Sequence, residues 1–101
     1  MTDAVSIEDQ GNSLQIDGEL NFATVMTLWK ESLGMLAAHD VLHFDFARVR
    51  SSNSAGLALL LEWLKYARSH QKKIFFKNIP AKLASIIDVA GLHAILDLKE
   101  G

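Results

Sequence analysis

Short runs of alternating apolar and polar residues begin the chain and predict a β-hairpin. The two runs cover residues 4–8 and 14–19, and residues 9–13 between them contain Gly11 and Asn12. Glycine and asparagine favour the tight turns that join antiparallel strands. We therefore predict two paired strands at the start of the fold.

Two later short runs predict further strands. Residues 41–46 are too few for a helix and are apolar on nearly both faces, which is typical of an interior strand in a sheet covered by helices. Residues 73–77 have a similar strand-like composition. Both runs are separated from their neighbours by segments with helical spacing.

The first helical segment follows Asn21, a residue type that is common at helix N-caps, and extends to about Ala38. Its apolar residues fall on one side of a helical wheel and predict a stripe that packs on the sheet, with Trp29 in the core. The stripe consists of Phe22, Val25, Met26, Trp29, Leu33 and Leu36.

The second helical segment, residues 54–69, carries two apolar stripes. The stripe predicted to pack on the sheet consists of Leu57, Leu60, Leu61, Leu64 and Ala67. A different stripe, spaced i, i+4, i+7 and i+11, consists of Leu59, Trp63, Tyr66 and His70. Trp and Tyr are common in binding hot spots, so the second stripe fits a protein interface. It fits equally well a face that is covered within the domain by the first helical segment or by the third helix described next.

A third helix is predicted after Asn78 and Pro80, which are typical of a helix start. Its apolar face consists of Leu83, Ile86, Ile87 and Ala90, and Gly91 is suited to the left-handed position that ends a helix. Residues 92–96 fit either an edge strand or a short helix, because five residues are too few for periodicity to decide.

The alternation of strands and helices predicts an α/β fold, and we expect residues 1–101 to form a single domain. The order is a βαβαβα unit with an added N-terminal hairpin. Right-handed crossovers are expected to place the first two helices against the sheet.

Composition excludes several classes of function. The 101 residues are 50% hydrophobic and carry a net charge of −2, so no basic field favours nucleic acid as a partner. The absence of cysteine excludes disulfides and cysteine-ligated zinc. The longest uncharged run, residues 51–61, is far shorter than the roughly 20 apolar residues of a membrane span. With no secretory signal pattern at its start, we expect the protein to be cytoplasmic.

Candidate chemistry centres on Ser54, which follows small polar residues at the predicted start of the second helix. Its hydroxyl could accept a first-turn N–H bond, which stabilises a helix by about 1 kcal/mol. It could instead be phosphorylated, which would place negative charge at the positive end of the helix. Asn53 competes for the cap, and this leaves Ser54 freer to face a partner.

The sequence contains no motif typical of a catalytic or metal site. The four histidines are scattered without a zinc-binding spacing, and no Gly-rich phosphate loop is present. A triad of Ser54, Asp45 and a histidine lacks the Gly-x-Ser-x-Gly elbow of hydrolases. We therefore predict no enzyme activity, no metal and no cofactor. Asp45, at the end of a predicted strand, is expected to accept backbone N–H bonds from the loop at residues 53–54.

Residues 42–49 (LHFDFARV), followed by residues 53–57 (NSAGL), resemble the STAS domain family. In that family an Asp-Ser/Thr-small-Gly-Leu motif opens a helix, and residues 18–20 (GEL) also match in position. The resemblance covers nearly the whole chain and implies a mixed β-sheet with an N-terminal hairpin and helices packed on the sheet. Residues 18–20, 27–29 and 56–61 are most similar to the STAS subunits of phospholipid ABC transporters.

This resemblance implies a non-catalytic subunit that binds the cytoplasmic ATPase of such a transporter and supports its assembly and activity. Membrane association is then expected only through the complex, at the inner face of the inner membrane. In the family the residue at the position of Ser54 is a kinase target or a partner contact. Together with the second stripe of the helix at residues 54–69, this predicts a partner-binding set, which consists of Ser52, Asn53, Ser54, Leu59, Trp63 and Tyr66. Asp45 and Gly56 are expected to support the loop.

A second member of the same family, the anti-anti-sigma factor, provides the alternative. In that interpretation a partner kinase, which is itself an anti-sigma factor, phosphorylates Ser54. Asn53 stands where the family has Asp, so a carboxylate beside the hydroxyl is missing, which argues against this mechanism.

Overall fold

The structure, a computed structural model, describes residues 5–96. Its elements alternate as predicted after an opening hairpin, and residues 92–96 contribute a short helix rather than an edge strand. The elements are β1 (Ser6–Asp9), β2 (Leu14–Leu20), α1 (Val25–Ala38), β3 (Val41–Ser52), α2 (Ser54–Ser69), β4 (Lys73–Lys77), α3 (Ala81–Val89) and α4 (His93–Leu96).

One mixed sheet of order β1-β2-β3-β4 organises these elements. The hairpin strands β1 and β2 are antiparallel, whereas β2, β3 and β4 run parallel. Parallel neighbours require crossover connections, and α1 and α2 supply them. The predicted mixed sheet with an N-terminal hairpin and packed helices is confirmed.

The helices cover a single face of the sheet. Along β3, Leu42, Phe44 and Phe46 are buried, whereas Val41 and His43 are exposed. His43 stacks on Phe75 of β4 across the open face, with ring centroids 5.0 Å apart. The strand is interior to the sheet, as predicted, and the helices cover the face that carries Leu42, Phe44 and Phe46.

Strand β3 is longer than the predicted 41–46 and continues to Ser52. Its second half is mostly polar and shifts register twice against β2, so no regular alternation marks it in the sequence. The extension pairs Ser51 with Glu19 and Ser52 with Leu20. It therefore brings the start of α2 next to the end of β2.

An aromatic cluster fills the core between the sheet and α2. Trp63 has 0% of its surface exposed and stacks on Phe44, with centroids 4.0 Å apart. Its Nε1 donates a hydrogen bond of 3.0 Å to Oγ of Ser32 on α1, and this hydroxyl donates to the Trp29 carbonyl at 2.8 Å. Helix α1 therefore covers this part of α2.

The predicted apolar stripe of α1 is wrong in part. The buried residues of the helix are Leu28, Ser32 and Leu36, whereas Leu33 is exposed and Trp29 is half-buried. Ser32 occupies the inward face because its hydroxyl satisfies the buried indole N–H of Trp63. The predicted stripe instead follows the largest apolar side chains of the segment.

Asn21 acts one turn before the helix that it was predicted to cap. Its Oδ1 accepts hydrogen bonds from the N–H groups of Ala23 and Thr24, at 2.8 and 3.0 Å, and its own N–H donates to Thr24 Oγ1 at 2.9 Å. These reciprocal bonds resemble a capping box. They fix residues 21–24 as a turn, and this turn places Phe22 outside the helix.

Candidate functional site

The carboxyl ends of β2 and β3 meet at one edge of the sheet, where both crossover helices begin. The backbone N–H of Asn53 donates to the carbonyl of Leu20 at 3.1 Å and ties the two loops together. Because parallel strands place their following loops side by side, this carboxyl edge is a common position for sites in α/β proteins. We call it the docking edge; Phe22 and Ser54 are among its exposed residues.

Asn53 is the N-cap of α2. Its backbone is extended, its Oδ1 accepts from the N–H of Ala55 at 2.8 Å, and its carbonyl accepts from the N–H of Gly56 at 3.0 Å. A short carboxamide in this position satisfies first-turn donors that the helix itself leaves unpaired. The side chain of Asn53 is therefore engaged in capping α2.

Ser54 is the first residue of α2, and its side chain is exposed. Within residues 5–96 its hydroxyl takes part in no hydrogen bond, because Asn53 provides the cap. The chain thus presents an unengaged hydroxyl on a fixed backbone, at the positive end of a 16-residue helix.

Ser52 and Gly56 lie behind this surface. Ser52 is 3% exposed and its Oγ donates to the Asn53 carbonyl at 3.0 Å, so its predicted place among the partner contacts is wrong. The pairing of Ser52 with Leu20 directs the hydroxyl inward. A Cβ on Gly56 would overlap that hydroxyl and lie 3.3 Å from Cδ1 of Leu20, so Gly56 permits the close approach.

Asp45 does not support the 53–54 loop as predicted. Its Oδ1 accepts from the N–H of Ala47 and from Nδ2 of Asn78, both at 2.9 Å. The prediction failed because β3 does not end near Asp45 but continues to Ser52. Asp45 instead joins β3 to the end of β4.

The second stripe of α2 is not an exposed interface. Trp63 lies in the core and Leu59 is 3% exposed, so the prediction of these two side chains as exposed partner contacts is wrong. Tyr66 is half-buried and stacks on His70, with centroids 4.0 Å apart. Packing of α1 against α2 buries Trp63. Leu59, Tyr66 and His70 line a cleft between the two helices.

This α1/α2 cleft has a volume of about 290 Å³, and it continues into a depression of about 220 Å³. Trp29 and Glu62 line both parts. The cleft is completed by Val25, Met26, Ala58 and Leu59, and the depression by Lys65, Tyr66, Ser69 and His70.

Sequence reasoning missed the exposure of Phe22 and Met26, which are 70% and 59% accessible. Helical spacing had assigned both to the core. The spacing of the largest apolar residues does not reveal their exposure, because the inward face of α1 is set by Leu28, Ser32 and Leu36.

The opposite edge of the sheet is closed by charged groups. His39 Nε2 lies 2.7 Å from Asp9 Oδ2, and Lys72 Nζ donates to the His39 carbonyl at 2.7 Å. The hydrogen bond with His39, together with one from the N–H of Gly11, lowers the pKa of Asp9 below its ordinary value.

Among residues 5–96, no helix has both the length and the apolar character needed to cross a membrane.

Comparison with known proteins places this geometry in a family. The family model described as "Mlab, STAS domain" matches residues 4–97. The anti-sigma-B factor antagonist of Staphylococcus epidermidis is 27% identical over 92% of this chain and 87% of its own length. The intermembrane phospholipid transport system binding protein MlaB of Escherichia coli (strain K12) is 24% identical over 93% of this chain and 95% of its own.

Solved structures share the fold. The unphosphorylated anti-sigma factor antagonist SpoIIAA superposes with a TM-score of 0.75 at 16% identity, over 97% of this chain and 88% of that one. An anti-sigma factor antagonist from Mycobacterium paratuberculosis gives 0.75 at 19% identity, over 96% and 85%. Since the family model spans almost the entire sequence, this chain belongs to the STAS domain family, and its role is non-catalytic binding or regulation.

Proposed function

We propose that this protein is the STAS subunit of a phospholipid ABC transporter of the Mla type, where it binds the cytoplasmic ATPase and supports assembly and activity. The observation that carries the proposal is the docking edge, where Ser54 is exposed and unengaged and the loop that is bonded to it exposes Phe22. The similarity to MlaB over 93% of the chain supports the choice of partner.

The docking edge is pre-organised for protein recognition. Asn53 caps α2, Ser52 bonds to the backbone behind it, and the Asn53–Leu20 bond joins the two loops. A partner therefore meets a surface whose backbone is already ordered, which lowers the entropy cost of binding. Phe22 supplies an apolar anchor and Ser54 a hydrogen-bonding group.

Asn53 favours the transporter interpretation over a phosphorylation switch. Its carboxamide bonds to the helix and carries no charge, so no carboxylate lies in sequence beside the Ser54 hydroxyl. Attachment to the membrane then comes from the transporter, with this subunit at the inner face of the inner membrane.

A second candidate is an anti-sigma factor antagonist regulated by phosphorylation of Ser54. The exposure of the hydroxyl favours it, as does 27% identity to a protein of that name. A phosphate on Ser54 would add roughly two negative charges beside the N-terminal end of α2, where the helix dipole favours anions. The added bulk would also block a partner docked there.

Affinity purification of the tagged protein from native cells, with its membranes solubilised, tests the proposal. We expect the ATPase and membrane subunits of one transporter to be recovered with the wild type and with Ser54→Ala. Ser54→Arg should lose them, because it places a long cation on the docking edge. Recovery of a soluble kinase instead, with phosphoserine at position 54 by mass spectrometry, would establish the second candidate.

A further inference from the structure

The α1/α2 cleft leaves apolar surface without cover inside the described chain. Met26 and Leu33 lie on the same side of α1 as Trp29, and all three are at least partly accessible. Across the cleft, α2 contributes Ala58 and Leu59. Apolar residues on two adjacent helices form the type of groove that receives an amphipathic helix.

Glu62 places a negative charge in the cleft. It is exposed, it lines both the cleft and the adjoining depression, and it forms no ion pair with any other residue in 5–96. A cationic side chain of an occupant would therefore find an available carboxylate at the middle of the groove, bordered by Trp29. Lys65 and His70 lie farther along and suit an acidic or polar group.

The dimensions fit a short helix. The lining residues of α2 extend from Ala58 to Ser69, which corresponds to roughly 16 Å along the helix axis at about 1.5 Å per residue. A helix of about three turns spans this length and can place apolar residues on both sides of a central cation.

We infer that the α1/α2 cleft is a second docking surface, which binds an amphipathic helix of the partner with a Lys or Arg facing Glu62. The identity of that partner as the transporter ATPase rests on the function proposed above. A second copy of this chain fits less well, because a two-fold contact centred on the cleft would bring two Glu62 carboxylates together.

Two variants test the cleft, each with a matched control. Met26→Glu places a charge in the apolar half and Glu62→Lys reverses the central charge. Val89→Glu and Glu31→Lys make the same changes at exposed positions that do not line the cleft. We expect each cleft variant to weaken binding of the purified ATPase by about tenfold or more, and each control by less than about twofold. Circular dichroism melting confirms that all four variants fold.

A photo-crosslinker at position 26, introduced in native cells, identifies the occupant. We expect the crosslinked segment to be an amphipathic helix with a Lys or Arg. Changing that residue to Glu should restore the binding lost in Glu62→Lys. Crosslinking to a second copy of this chain, no crosslink above that of the same group at position 31, or failure of the charge exchange would each overturn the inference.

Failure of this inference can be distinguished from failure of the proposed function. If Ser54→Arg abolishes ATPase binding while Glu62→Lys and Met26→Glu leave it unchanged, the cleft inference is overturned and the proposed function stands. If the wild type binds no ATPase, the proposed function fails. In that case the crosslink from position 26, and the restoration of binding to Glu62→Lys when the crosslinked Lys or Arg is changed to Glu, still show whether a basic helix occupies the cleft.

Discussion

The two edges of the sheet use their polar groups differently. At the edge where β3 and β4 begin, His39 pairs with Asp9, and Lys72 donates to the His39 carbonyl just after α1. At the docking edge the backbone is equally well bonded, yet Ser54 points outward without a partner in the described chain. The first edge engages its polar side chains within the fold. The docking edge has an ordered backbone and leaves the Ser54 side chain available, as the proposed function requires.

The largest expected change at the docking edge comes from Gly56→Ala. The added methyl overlaps the Ser52 hydroxyl, which is buried and bonded, and approaches Leu20 and Leu83 at 3.3 and 3.4 Å. Overpacking of this kind costs about 1–3 kcal/mol, measurable by urea denaturation. The control is Gly34→Ala, which has open space in an exposed part of α1 and should stabilise the protein by about 0.5–1 kcal/mol. Equal effects at both glycines would refute the close-packing argument.

Loss of the helix cap is expected to be next in size. Asn53→Ala removes the acceptor for the Ala55 N–H and should lower the free energy of unfolding by about 1 kcal/mol. Asn53→Asp keeps an acceptor and should retain most of the stability. If thermal melts show Asn53→Ala to be as stable as the wild type, Asn53 is not what fixes the docking edge.

The opposite edge should respond to acid. Because the pKa of Asp9 is lowered in the folded state, its ionised form stabilises the fold above the ordinary value of 3.8, and this contribution is lost as pH falls through the folded pKa. The wild type should therefore be more stable than Asp9→Asn at pH 6, and the difference should shrink toward pH 3. Urea midpoints of both proteins at the two pH values measure it. A difference that grows in acid would contradict the assignment.

The smallest expected change in stability is that of Ser54→Ala. Its hydroxyl makes no hydrogen bond within residues 5–96, so the free energy of unfolding should stay within about 0.5 kcal/mol of the wild-type value. A larger loss in calorimetry would mean that Ser54 supports the fold. The contrast between the two edges would then disappear.

Much of this architecture could be predicted from the sequence because local signals agreed with the fold. The hairpin at Gly11, the long apolar helix from Ser54 and the left-handed Gly91, with φ of +72°, each follow from chemistry within a few residues. The position of Ser54 at a helix start was predicted in the same way.

The errors arose where distant residues decided the outcome. Trp63 packs on Phe44 of the sheet, and Ser32 of another helix satisfies its buried indole N–H, so no periodicity within α2 contains that information. The polar half of β3 is a strand only because β2 pairs with it. The α1/α2 cleft likewise needs both helices in place before it exists.

The bond from the Asn53 N–H to the Leu20 carbonyl also has a consequence for avidity. It joins the loops that precede α1 and α2, and this helps to hold Ser54 at a constant distance from the α1/α2 cleft. If both proposed surfaces bind one partner, a partner held at the first would meet the second at high effective concentration, and two modest contacts would sum to tight retention.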